Sequence, residues 1–87
     1  MIKQVKFSDS VKFFEQGFKE RWKLEDYTSV NEPCIFVGVY SQKDIEIIKH
    51  NRSKKIVFIL GADIPNMVRL KGIQNTTFAS DKQNIID

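Results

Sequence analysis

Cys34-Ile35-Phe36-Val37-Gly38-Val39-Tyr40 and Lys55-Ile56-Val57-Phe58-Ile59-Leu60 are two apolar runs that flank the helical pattern Gln42–His50. Neither run alternates apolar with polar, as a strand with one wet face would. A continuous apolar run fits a strand buried on both faces, as in a parallel sheet covered by helices. Strand, helix and strand in that order read as a βαβ unit. In open parallel sheets ligands gather beyond the carboxyl ends of the strands. Tyr40-Ser41 and Gly61-Ala62-Asp63 therefore mark the expected place for any site.

Working outward, Ser41-Gln42-Lys43-Asp44 has the S-x-x-D spacing of a capping box. Ser41 is expected to accept the amide of residue 44, and Ile45 and Ile48 to face the sheet. His50-Asn51 closes that helix, where positive charge suits the dipole. Upstream, Met1–Phe7 alternates lysine with apolar residues and suits a short strand at the sheet edge. Ser8-Asp9-Ser10 supplies N-cap candidates. Val11, Phe14, Phe18 and Trp22 then follow at helical spacing, which predicts one helix over Val11–Asp26 with these rings in the core. Asp26–Pro33 reads as a loop. Downstream, Pro65 suits the first turn of a short helix stopped by Gly72, and Asn75–Ser80 reads as a fourth strand. Asp81–Asp87 reads as the start of a further helix.

The expected fold is α/β: a small Rossmann-like or flavodoxin-like three-layer sandwich with a mostly parallel four-stranded sheet, β-α-β-α-β-α-β. Its core is expected to join Phe14, Phe18, Trp22, Ile35, Val37, Val57 and Ile59. On that reading Trp22→Ala or Phe18→Ala costs roughly 3–5 kcal/mol.

The 87 residues suit a single domain, residues 1–87. A net charge of +3 with interspersed signs shows no nucleic-acid arm. Cys34 is the only cysteine, so no internal disulfide can form, and it opens an apolar run where free cysteine packs as a small hydrophobe. Met1–Phe7 has no apolar signal-peptide region. No stretch approaches the roughly 18 apolar residues of a membrane helix. A cytoplasmic chain without a membrane partner is expected.

No P-loop and no G-x-G-x-x-G motif is present, so no nucleotide-fold fingerprint calls for a cofactor. One His and one Cys do not supply a metal cluster. A Ser-His-acid triad would need His50 at the opposite end of its helix from Ser41. What remains is a polar cluster at the strand ends: Tyr40, Ser41, Asp44, Gly61 and Asp63. Helix amides there could hold an anionic group, as part of a sugar-nucleotide or phosphate-binding rim. Capping by Ser41 and Asp44 explains the same spacing without a ligand.

The stretch FVGVYSQKDIEIIKHNRSKKIVFILGADI, residues 36–64, resembles the amino-terminal Rossmann-like domain of GT-B type glycosyltransferases. In those proteins an apolar strand ends in a Gly/Tyr turn, a short helix follows, and Lys-Lys introduces a strand ending in Gly-x-Asp. Here these residues are Gly38, Tyr40, Lys54, Lys55, Gly61 and Asp63. The resemblance implies two Rossmann-like domains around a cleft. The donor nucleotide-sugar is held mainly by the carboxyl-terminal domain, and the amino-terminal one handles the acceptor. This sequence has no length for a second such domain, so the expectation is a sugar- or nucleotide-sugar-binding half that is not catalytic alone. No catalytic residue is carried over.

Two other classes compete with it. A flavodoxin-like binding or signalling module would pair Asp63 with Asp9 at neighbouring strand ends. A nucleic-acid binder would use Lys3, Lys6, Lys12, Lys19, Arg21 and Lys23, although most alternate with apolar residues as solvent-facing positions do. The uncharged Asn75–Ser80 edge also predicts a homodimer, formed by edge pairing or by an apolar helix face.

Overall fold

The two apolar runs become adjacent central strands, β3 (Cys34–Val37) and β4 (Lys55–Ile59), paired in parallel with Ile35 beside Ile56. The computed structural model describes residues 2–60 and 64–80. Within them lie β1 (Gln4–Phe7), α1 (Glu15–Trp22), β2 (Glu25–Asp26), α2 (Gln42–His50), α3 (Ile64–Met67) and β5 (Thr76–Ser80). Short 3₁₀ segments cover Asp9–Phe14 and Val68–Leu70. The expected terminal helix over residues 81–87 lies outside the described residues.

The sheet has five strands in the order β2-β1-β3-β4-β5, all parallel. This corrects the four-stranded expectation. The extra strand is Glu25–Asp26, where Glu25 N–H donates to Lys3 O at 2.8 Å and Tyr27 N–H to Val5 O at 3.1 Å. It displaces β1 from the edge. Two acidic residues have weak strand propensity, but an edge strand facing water tolerates them, and their charge discourages further pairing.

The expected continuous helix over Val11–Asp26 is also broken. Val11 leaves helical geometry (φ −129, ψ 22), and Lys23 sits in the left-handed region at φ 57. Only Glu15–Trp22 is α-helical. Of the ring stripe, Phe18 packs edge-on against Phe7 and Phe58, at centroid distances of 5.4 and 6.1 Å. Trp22 is 59% exposed, because it lies at the helix end beyond the sheet. The side chain of Phe14 lies outside the description.

The pleat divides the core in two. One face packs Cys34, Phe36, Val57, Ile59 and Phe78 under Ile45 and Ile48 of α2 and Leu70. The other packs Val5, Phe7 and Val37 with Val11, joined by Phe18, Leu24, Ile35 and Phe58. The single expected core is therefore two cores: Ile35 and Val37 belong to one, Val57 and Ile59 to the other.

Between β2 and β3 a loop crosses behind β1, where a helix commonly serves. Gln4 holds it with its full hydrogen-bonding capacity. Its side-chain amide donates to Ser29 O (2.7 Å) and Glu32 O (3.1 Å), and its carbonyl accepts from Thr28 and Ser29 N–H. Asn51 adds a bond to Glu32 O at 3.0 Å. Tyr27 caps the sheet face against Phe36, with centroids 5.4 Å apart. Among the described residues no helix is long and apolar enough to cross a membrane.

Candidate functional site

Strand order reverses between β1 and β3, so the chain leaves these neighbours in opposite directions and a crevice opens at their carboxyl ends. Three sequence-predicted residues meet there. Ser41 is the N-cap of α2, with the capping box complete: Asp44 N–H donates to Ser41 Oγ at 3.3 Å. In return Asp44 Oδ2 accepts from Ser41 N–H (3.1 Å) and Tyr40 N–H (2.9 Å).

A third donor comes from another strand. Ser8, just past β1, donates from its hydroxyl to the same Asp44 oxygen at 2.7 Å. Ser8 and Asp44 are both buried, 36 positions apart in the chain. Ser8 N–H also donates to Val37 O at 2.9 Å. Asp44 thus locks the end of β1 to the β3–α2 turn. Its negative charge lies against the amides of Tyr40 and Ser41, in the turn that opens α2.

Gly38 makes the turn tight. Its φ of +86 lies in the left-handed region, and a Cβ there would stand 2.9 Å from the Tyr40 ring and 3.1 Å from Val11. Only glycine lets these segments approach so closely. The crevice itself, between Lys6, Ser8, Gly38 and Asp44, holds about 10 Å³, room for one water at most. Asn66 closes the neighbouring rim by donating to Val39 O at 2.8 Å. Gly61 and Asp63, the other two predicted site residues, lie outside the described residues.

On the outer rim Asp9 faces Lys12 at 3.1 Å and Lys43 at 3.4 Å. The Lys12 hydrogen bond, then the Lys43 charge, hold its carboxyl below the usual range. His50 is remote, at the far end of α2 with Nδ1 2.8 Å from Glu46 O. Among the described residues no group of three or more His, Cys, Asp or Glu could hold a metal ion.

Sequence reading found Tyr40, Ser41 and Asp44 through the local capping pattern. It assigned Ser8 only as a cap and did not single out Lys6 for the site. Their placement depends on β1 being a central strand.

Cys34 is fully buried in the core under α2, and burial pushes its thiol up to about 12. The thiolate is the reactive form, so Cys34 is expected to resist alkylation in the folded protein at mildly alkaline pH. It should react promptly once urea unfolds the chain. Mass spectrometry of iodoacetamide adducts with and without urea checks this.

No protein-family model matches the chain, and no curated protein or solved structure matches it either.

Proposed function

We propose that this chain is a Rossmann-like ligand-binding domain of the GT-B acceptor-side type, contributing one wall of a sugar or nucleotide-sugar site and not catalysing transfer by itself. The observation that carries the reading is the reversal of strand order between β1 and β3, which puts Ser8, Gly38, Tyr40 and Asp44 at the crest of the sheet. That is where parallel α/β proteins place their ligands.

The crevice there is far too small to enclose a nucleotide, whose sites usually span hundreds of Å³. A ligand would rest on the rim, with its remaining contacts supplied by another domain or chain. Asp44 is occupied by three donors, and Asp9 by two lysines.

The signalling alternative is less well supported. It requires acidic residues at neighbouring strand ends, yet β3 separates β1, which Asp9 follows, from β4, and Asp63 lies outside the described residues. Self-association through β5 belongs to the proposal as well, since β5 is the outer strand and carries no charge and no proline.

Titration of ¹⁵N-labelled protein with UDP-glucose and with free saccharides tests the reading. Shift changes are expected at Ser8–Asp9 and Gly38–Asp44, without release of UDP when donor and acceptor are combined. Turnover by the isolated chain would overturn the non-catalytic part. Saturating ligand that moves no rim resonance would overturn the binding part. Translational diffusion in the same sample reports the dimer, and a monomer at all concentrations removes it.

A further inference from the structure

Lys55 is buried and donates to Ser53 O and Gln74 O, Arg21 lies over the Trp22 ring, and Lys6 lines the crevice at the rim. Most of the other described cations fall into two groups. Lys12 and Lys43 are paired with Asp9, Lys19 with Asp26, and Arg69 donates to Gln42. Lys3, Lys23, Lys49, Arg52, Lys54 and Lys71 are all exposed, and among the described residues none has a side-chain hydrogen bond or ion pair.

These six share one end of the molecule. Lys3, Lys23 and Lys54 stand just before β1, β2 and β4, and Lys71 lies in the turn leading to β5. Lys49 is in the last turn of α2, and Arg52 follows it. Backbone bonds tie these segments together: Glu25 N–H to Lys3 O, Cys34 N–H to Lys54 O, and Arg52 N–H to Val30 O. Glu25 and Glu32 are the acidic residues at the strand starts here. The carboxyl terminus of a helix attracts cations, which accounts for Lys49. It does not account for Lys3, Lys23 or Lys54 at the starts of strands. Trp22 lies at the same end, 59% exposed beneath the Arg21 guanidinium (5.8 Å), and Val30 is 39% exposed.

We propose that this amino-terminal pole of the sheet is a peripheral docking surface for an anionic lipid bilayer, opposite the candidate ligand rim. Five of the six cations are lysines, compact point charges that suit a diffuse negative surface better than paired recognition of individual phosphates. Trp22 and Val30 among them supply the amphipathic and apolar contacts of an interfacial surface. A nucleic-acid surface would instead need a helix or ribbon fitting a groove, or a row of stacking rings in a basic channel. Strand starts and one exposed tryptophan do not provide these. The rim would then face away from the membrane, towards solutes or a second domain.

Trp22 is the single tryptophan, so its fluorescence reports this pole directly. Titration with phosphatidylserine-rich vesicles should shift its emission to the blue, and pure phosphatidylcholine vesicles should not. The shift should vanish at about 1 M salt, where the screening length falls to about 3 Å. Lys3→Glu/Lys54→Glu should weaken binding by more than about a hundredfold. Lys12→Glu/Lys43→Glu makes the same change in net charge at the opposite pole and should weaken it much less. Absence of a shift on anionic vesicles overturns the proposal, as does equal weakening by both variants. Tighter binding to a mixed-sequence DNA duplex than to the vesicles would also overturn it, assigning the pole to nucleic acid.

Discussion

Phe7→Ala is expected to remove a large share of the chain's stability, while Trp22→Ala should change it little. Phe7 is 1% exposed and packs among Val5, Val11 and Val37, with its ring edge-on to Phe18. Removing such a ring costs about 3–5 kcal/mol through lost burial and the cavity left behind. A chain of this size has a total margin on the order of 5–10 kcal/mol. The melting temperature should therefore fall by at least about 15 °C. Trp22 touches Phe18 only obliquely, at 6.4 Å between centroids, and is 59% exposed. Its loss should cost less than about 1 kcal/mol. Thermal and urea unfolding followed by circular dichroism compares the two, and the reverse ranking would show that α1 sits on the sheet in another orientation.

Asp44→Ala is the second large effect, expected to cost about 2–4 kcal/mol. The substitution removes the N3 partner of the capping box and strands three donors: Ser8 Oγ, Tyr40 N–H and Ser41 N–H. Ser8→Ala removes a single bond to a charged group, worth roughly 1.5–3 kcal/mol. Because the two residues share that bond, the double variant should cost less than the sum of the singles. Urea midpoints of the four proteins close the cycle. Hydrogen exchange should report the same loss locally, with faster exchange at the Tyr40 and Ser41 amides. Strict additivity would mean that the strand ends are held together by other contacts.

Features confined to a few neighbouring residues were legible in the sequence. Cys34–Val37 and Lys55–Ile59 announce themselves as strands because both faces of each are apolar. Ser41 and Asp44 announce the start of α2 because a cap is satisfied within one turn. Three of the five residues proposed for the rim follow from that capping turn and the residue before it.

Whatever depends on distant partners was not legible. The spacing of Val11, Phe14, Phe18 and Trp22 is helical throughout, yet α1 spans only Glu15–Trp22, about 12 Å. A stripe buries its rings only where the sheet extends beneath them, so Phe18 is covered and Trp22 is not. Glu25 and Asp26 carry no local strand signal. Their pairing with Gln4 and Val5 moved β1 inward and set the order of the sheet. That order made Ser8 the partner of Asp44 across 36 residues, and gathered Lys3, Lys23 and Lys54 at the opposite pole. Periodicity and capping are written within single segments, whereas which segments become neighbours depends on backbone pairing and burial that form only in the assembled fold.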